Sequence, residues 1–141
     1  MFRLYQIYGP GQDLNRFIPS LIFSCLKKKS FPCSTGKQKR DFLYIDDLIS
    51  AFFKAFKNKR VVGKIFNIGS GRPIQLLKII KRMKYNLKGG TPLYGRIKLR
   101  IDEPSIIYPD IFFAKKHLKW RPKTSFFNGL KKTISYFKIN N

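Results

Sequence analysis

Acidic side chains are scarce in this sequence: 7 Asp and Glu stand against 30 Lys and Arg, a formal net charge of +23 over 141 residues. Such a balance normally points to nucleic acid, an anionic membrane or a polyanionic substrate. The basic residues are spread along the chain, with one triplet at residues 27–29, and no zinc-finger spacing, RNA-recognition signature or heptad array accompanies them. We therefore expect most of the charge on solvated faces, with a basic nucleic-acid-binding module without enzymatic activity as the alternative function.

Metal-ligating residues and long apolar runs are also scarce. Cys25 and Cys33 do not have a metal-ligand spacing and His117 stands alone, so no metal site is predicted. Cys25 falls on the apolar face of a predicted helix, which favours a reduced, cytoplasmic setting. The longest apolar run, residues 17–26, is about half of what a bilayer crossing needs. Neither a membrane span nor a secretory signal is expected.

Strand and helix patterns alternate along the chain, which predicts an α/β fold. The length suits one domain, and because no repeat or linker marks a boundary, residues 1–141 are expected to form one unit. Predicted strands cover residues 4–8, 41–45, 65–68 and 97–101, with a loop at residues 89–95. Five predicted helices carry apolar residues at helical spacing, centred near residues 22, 51, 80, 115 and 131.

Polar residues before these helices predict their caps. Asn15, Asp46 and Ser125 are the expected N-caps of the first, second and last helix. The second helix is expected to bury four apolar side chains, Leu48, Ile49, Phe52 and Phe56.

Five collinear segments carry a family resemblance: RLYQIYGPGQD at residues 3–13, RDFLYIDD at 40–47, FNIGSG at 66–71, YPDI at 108–111 and WRPKTS at 120–125. In this order and spacing they resemble the C-terminal half of the extended short-chain dehydrogenase/reductase family, which contains NAD(P)-dependent nucleotide-sugar epimerases, dehydratases and reductases. The resemblance implies a Rossmann-type fold that lacks its N-terminal dinucleotide-binding half. The chain would be a substrate-binding lobe with the last strands of a doubly wound sheet.

The resemblance implies five substrate-binding residues. Arg40 opens the RDF segment, where the family binds the nucleotide-sugar diphosphate with the planar guanidinium fork; a surface ion pair with a neighbouring aspartate is the simpler alternative. Arg100 matches a second phosphate-binding arginine. Gln6 stands where the family usually has Asn near the diphosphate. Asn15 and Phe17 match the segment beside the nucleotide base, although Phe17 also suits an ordinary core position.

NAD or NADP is the implied cofactor. Tyr8, Gly9 and Pro10 match the strand end at the edge of the cofactor pocket in the family, and a simple strand-ending turn explains them equally well. The glycine fingerprint that cradles the pyrophosphate is missing, because Ile74 stands where residues 69–71 would need a third glycine. Tight NAD(P) binding by this chain alone is therefore not expected.

No catalytic residue is assigned. The family uses a Tyr-x-x-x-Lys pair on a helix, in which the lysine lowers the tyrosine pKa. Tyr94 and Lys98 have that spacing, but the surrounding glycines and proline oppose a helix. The expected protein is a truncated or split nucleotide-sugar enzyme of surface-polysaccharide sugar synthesis, inactive alone, whose partner would be a separate chain carrying the missing half.

Overall fold

Five helices and nine short strands make an α/β fold in residues 1–140, which the computed structural model describes. The helices are α1 (Phe17–Leu26), α2 (Ile45–Phe56), α3 (Leu76–Leu87), α4 (Phe112–Leu118) and α5 (Phe126–Asn140). The strands are β1 (Phe2–Leu4), β2 (Gln6–Tyr8), β3 (Ser30–Pro32), β4 (Lys39–Arg40), β5 (Phe42–Tyr44), β6 (Phe66–Ile68), β7 (Ile74–Gln75), β8 (Thr91–Leu93) and β9 (Ile106–Ile107). The predicted fold class is confirmed.

Parallel pairing dominates the strands. β1 pairs with β6, β2 with β5, β3 with β8 and β4 with β9 in parallel, and β4 also pairs with β7 antiparallel. The apolar run predicted as one strand over residues 4–8 is divided at Tyr5, because its two ends pair with different neighbours. Leu4, at the start of this run, is exposed.

Two hydrophobic clusters form the core. The first joins α1, α3 and α5 to β2 and β5, and the second surrounds β6 with α2 and α4; Ile45 packs against both. α1, α3 and α5 bury the faces that their periodicity predicts, with these residues inside: Ile18, Leu21, Ile22, Cys25, Ile79, Ile80, Met83, Leu130, Ile134 and Phe137. Helical spacing of apolar residues was sufficient to predict the buried faces of these three helices.

Two of the three predicted caps are wrong. Helix α1 is preceded by Arg16, which makes no side-chain cap bond. Helix α2 begins at Ile45 because β5 runs directly into it, so Tyr44 occupies the cap position and Asp46 lies inside the first turn. The third cap is confirmed: the Ser125 hydroxyl accepts the backbone N–H of Asn128 at 3.3 Å.

The predicted buried face of α2 is largely wrong. Leu48 is buried, but Ile49, Phe52 and Phe56 are exposed. The helix instead turns Asp47, Leu48 and Ala51 inward. Periodicity identified an apolar face, which stays largely exposed within residues 1–140 although the Phe2 ring of β1 contacts Phe52.

The strand predicted at residues 97–101 is also wrong, since these residues are exposed turns and loop. The strand in this region is β8, inside the segment predicted as a loop. It forms because β3 offers its backbone in parallel register, with Phe31 opposite Pro92. Proline is tolerated in such an edge strand, where its missing N–H is not needed.

Both cysteines are free and buried, which predicts that their thiols are unreactive in the native state. Burial raises the pKa of Cys25 to about 11 and also raises the pKa of Cys33. We expect Ellman's reagent to label neither thiol at pH 8 until guanidinium unfolds the chain. Because an unfolded thiol titrates near ~8.5, the folded state binds more protons above that pH, and the free energy of unfolding should fall as the pH rises from about 8.5 toward 11. Fast labelling of either thiol in the native chain would contradict this.

Candidate functional site

A cleft of about 480 Å³ opens between β2 and the start of α1. Its lining brings together three of the five predicted substrate residues, Gln6, Asn15 and Phe17. The Phe17 ring stacks on Phe42 at a centroid distance of 6.1 Å with an angle of 29° between the planes. Two amide side chains beside an aromatic floor suit a ligand that is flat at one end and polar at the other.

The loop between β2 and α1 shapes the rim of this cleft. The Asp13 carboxylate accepts the backbone N–H of Asn15 at 2.8 Å, and the Asp13 carbonyl accepts that of Arg16 at 3.0 Å. Gln12, which sequence reasoning did not select, also lines the cleft, and its amide donates to the Ile7 carbonyl at 2.8 Å. These bonds fold the loop back over the end of β2 and present Asn15 to the cleft.

Arg40 is buried, with 5% of its surface exposed, in the strand between β7 and β9. Its Nη1 donates to the Lys39 carbonyl at 2.8 Å and its Nη2 forms an ion pair with Glu103. Since a guanidinium has five N–H donors, donors remain for an anionic ligand. Arg40 does not itself line the cleft, but Phe42, two residues further on, does.

Arg100 lies apart from the other predicted residues. It is exposed in the loop between β8 and β9. Its carbonyl accepts the Glu103 backbone N–H at 3.1 Å, and this turn brings the Glu103 carboxylate to Arg40. The contact between Glu103 and Arg40 joins distant parts of the chain and was not visible in the sequence.

The three residues predicted to bind cofactor form a structural turn. The Tyr8 hydroxyl is buried and donates to the Phe126 carbonyl at 2.7 Å. Desolvation, then the neighbouring Tyr44 and Asp47, raise the pKa of this phenol above its usual range. A Cβ on Gly9 would lie 2.5 Å from Ile45 Cγ2, so glycine is required by packing, and Pro10 is exposed. Their contact with a cofactor stays a prediction.

The loop after β6 does not fit a dinucleotide pyrophosphate. Its backbone N–H groups at Ser70 and Arg72 are taken by the buried Asp41 carboxylate at 2.7 and 3.0 Å. The Ser70 hydroxyl also donates to Asp41 at 2.7 Å. Phosphate-binding loops depend on free N–H donors, and here an internal carboxylate occupies them.

Tyr94 lies in a turn rather than on a helix. Tyr94 and Lys98 therefore do not share a helix, which is the arrangement that the resemblance implies for a catalytic pair. Burial, and then Cys33, raise the pKa of Tyr94.

Basic side chains are dispersed over the described surface. Exposed Lys and Arg side chains occur on α2, α3, α4 and α5 and are not confined to one element. Within residues 1–140, no group of three His, Cys, Asp or Glu side chains is placed to hold a metal ion. None of the described helices has both the length and the apolarity for a bilayer crossing.

Residues 1–69 match the profile of the NAD dependent epimerase/dehydratase family. The CDP-abequose synthase of Salmonella muenchen is 30% identical to this chain over 135 residues, covering 94% of the chain and 46% of the relative. The dTDP-D-glucose 4,6-dehydratase of Bos taurus is 32% identical, covering 98% of the chain and 40% of the relative. The chain thus spans less than half the length of these curated relatives.

Two solved structures superpose on nearly the whole chain. UDP-glucose 4-epimerase of Thermotoga maritima, solved with UDP-glucose, has a TM-score of 0.88 and 28% identity. UDP-glucuronic acid 4-epimerase of Bacillus cereus, in complex with UDP-glucuronic acid and NAD, has a TM-score of 0.89 and 30% identity. Each match covers 99% of this chain and 45% of the other, which agrees with a partial Rossmann-like domain.

Proposed function

Because the chain is a homologue of NAD-dependent sugar-nucleotide epimerases and dehydratases, we propose that it is the C-terminal, nucleotide-sugar-binding portion of such an enzyme. The observation that carries the proposal is the cleft in which Gln6, Asn15 and Phe17 meet. Its setting would be the synthesis of surface-polysaccharide sugars.

The base and the diphosphate of a nucleotide sugar each find a matching group in this arrangement. The base would lie against Phe17 and within reach of the Asn15 amide, because an aromatic ring offers a stacking face and the amide offers both a donor and an acceptor. The diphosphate would use Arg40, a buried cation whose bonds to phosphate are stronger than those of an exposed one because little water competes. Glu103 would hold the Arg40 guanidinium in place while the remaining donors meet the phosphates.

The part of the cofactor site that cradles the pyrophosphate belongs, in this proposal, to the remaining portion of the fold, with Tyr8, Gly9 and Pro10 at the edge of the pocket, and the hydride transfer that NAD supplies belongs there too. We therefore expect calorimetry with NAD or NADP to show no tight binding to this chain and assays to show no oxidoreductase turnover. An intact relative measured in parallel provides the positive control. Micromolar affinity of the 141-residue chain for either dinucleotide would contradict the expectation.

Replacing Arg40 tests the proposed substrate site. Arg40→Ala removes one or two charge-assisted hydrogen bonds, each worth about 1.5–3 kcal/mol, so affinity for UDP-, dTDP- or CDP-glucose should fall about tenfold or more. Arg40→Lys should recover little, because an ammonium cannot make the paired contact. Calorimetric titration of the chain, alone and reconstituted with the remaining portion of a relative, measures the change.

Lys39→Ala is the matched control, since Lys39 is exposed beside Arg40 and should change affinity little. Thermal melts of all variants separate lost binding from lost folding. Wild-type affinity of a folded Arg40→Ala variant would remove Arg40 from the site. Tight DNA binding with a steep salt dependence, together with no nucleotide-sugar binding, would favour the nucleic-acid alternative.

A further inference from the structure

A depression of about 670 Å³ lies between the end of α1 and the end of α3. Four exposed lysines from these two helix ends line it: Lys28, Lys81, Lys84 and Lys88. Among the residues that the structure describes, no acidic side chain lines this lysine pocket. Four positive charges therefore surround one depression without a carboxylate in its wall.

Close packing of the two helix ends holds the lysine pocket together. The chain after α3 turns at Gly90, where a Cβ would lie 2.8 Å from Cys25 Sγ on α1, so glycine is needed for this approach. The Thr91 N–H donates to the Lys29 carbonyl at 3.2 Å, where β8 begins to pair with β3. The Lys84 ammonium is close enough to α1 to oppose the rise in the Cys25 pKa that burial causes. Backbone contacts thus keep the lysines of both helices on one pocket.

The charges of this pocket are not compensated by the chain itself. None of the four lysines forms an ion pair in the part of the chain that the structure describes. Residues 14–40 and 48–101, which contain both sides of the pocket, have no Asp or Glu. Lys81, Lys84 and Lys88 are three and four positions apart, so their like charges lie on one face of α3 and repel each other.

The helix dipole accounts for only part of this arrangement. A helix C-terminus favours a nearby cation, which suits Lys28 and Lys88, and both have a left-handed backbone, with φ of 52° and 50°, at helix ends where glycine is usual. The dipole acts within the last turn, and Lys81 lies before that turn of α3. Helix stability therefore does not explain why a further charge converges on the same depression.

We propose that the lysine pocket binds an oligophosphate, an anion with two or more linked phosphate groups. Ammonium groups are compact charged donors that bind phosphate oxygens, and several around one depression would neutralise the several charges of such an anion. Pockets of roughly 300–1,000 Å³ hold small ligands, so the volume suits an oligophosphate. Tyr85, exposed in the same lining, offers a stacking face when the oligophosphate belongs to a nucleotide.

This site is separate from the nucleotide-sugar cleft. Phe17 and Ile18 line the cleft at the start of α1, whereas Lys28 lines the lysine pocket after its end. The ten residues of α1 make a helix about 15 Å long, and the two linings share no described residue. The proposal does not depend on nucleotide-sugar binding, so either site can fail alone.

Calorimetric titration of the 141-residue chain with sodium tripolyphosphate, without any nucleotide sugar, tests the site. We expect micromolar binding that weakens with added salt, because salt screens exposed charges. The double variant Lys84→Gln, Lys88→Gln should lower the affinity tenfold or more, because it removes two charged donors to phosphate. Tripolyphosphate should raise the melting temperature of the wild type and not that of this variant, since a ligand stabilises the folded state that binds it.

The double variant Lys54→Gln, Lys57→Gln is the matched control. It removes the same two charges from exposed positions at the end of α2, outside the pocket, and should change the affinity by less than about twofold. Equal weakening by the two double variants would show diffuse attraction to the net charge of +23 and overturn the site. Absence of tripolyphosphate binding, or binding that Lys84→Gln, Lys88→Gln does not weaken, overturns it as well.

Titration with ATP identifies the source of the phosphates. Tighter binding of ATP than of tripolyphosphate would assign the pocket to a nucleotide, and Tyr85→Ser should then remove the difference. Equal or weaker binding of ATP would assign it to a free phosphate chain, and either result supports an oligophosphate site. A short single-stranded oligonucleotide that binds through Lys84 and Lys88, while tripolyphosphate does not bind, would overturn the proposal in favour of a nucleic-acid surface.

Discussion

Asp47→Ala is expected to lower the free energy of unfolding by about 3–6 kcal/mol, because it removes two hydrogen bonds to a charged group at ~1.5–3 kcal/mol each. The carboxylate is 3% exposed and accepts the backbone N–H groups of Lys123 and Thr124, both at 2.9 Å. The Asp47 carbonyl also accepts the Trp120 indole N–H at 3.0 Å. The residue therefore ties the segment before α5 to the start of α2.

Loss of this carboxylate would leave two partly buried N–H groups without partners, and a domain of this size has roughly 5–15 kcal/mol of stability in total. Asp47→Asn should be intermediate, because its amide keeps one acceptor oxygen and turns a donor toward the other N–H. Urea unfolding followed by Trp120 fluorescence measures the difference.

Asp46→Ala is the control at the adjacent position. Asp46 is exposed, and its one ion pair, with Lys132 at 3.6 Å, is exposed too. Such pairs contribute about 1 kcal/mol or less. Equal destabilisation by the two alanine variants would show that Asp47 does not hold the segment at residues 120–124.

Gly129→Ala is expected to destabilise the chain by about 1–3 kcal/mol, the usual cost of overpacking a core. Gly-to-Ala changes inside a helix normally gain up to ~1 kcal/mol from helix propensity, so the sign of the effect is the test. An added Cβ would overlap the Tyr8 hydroxyl and lie 2.7 Å from Cδ2 of the Tyr44 ring. The hydroxyl cannot withdraw without breaking its hydrogen bond to the Phe126 carbonyl.

Asn128→Ala supplies the comparison on the same helix. Asn128 is exposed, and only its backbone N–H bonds to Ser125, so propensity alone should act and stability should change by a few tenths of a kcal/mol. Thermal unfolding of both variants measures the difference in stability. An unchanged or higher melting temperature for Gly129→Ala would mean that α5 does not approach β2 and β5 as closely as the structure has it.

The roles of residues whose partners lie a few positions away in the sequence could be predicted. The periodicity of α1, α3 and α5 encodes their buried faces, since side chains three and four positions apart share one side of a helix. The Ser125 cap was predicted for the same reason, because its partner lies three residues away. The collinear segments led to the Rossmann-like class and to the prediction of Gln6, Asn15 and Phe17 as substrate residues, which line one cleft in the structure.

Contacts between distant residues could not be predicted in this way. Arg40 and Glu103 are 63 positions apart, and nothing in either local sequence specifies the pair. Asp46 and Asp47 look equivalent, yet one is a surface residue and the other holds a segment more than seventy positions away. Glycine is needed at position 129 because Tyr8 of β2 and Tyr44 of β5 lie where a Cβ would be.

The apolar face of α2 also separates what the local sequence determines from what tertiary packing decides. The sequence by itself determined that Ile49, Phe52 and Phe56 share one face of a helix, because that depends on 3.6 residues per turn. Only the tertiary structure decided that the face stays largely exposed, because burial depends on whether another element packs there, and within residues 1–140 the Phe2 ring contacts Phe52 but leaves Phe56 90% exposed. Local periodicity sets what a surface is made of, and long-range packing sets what it contacts.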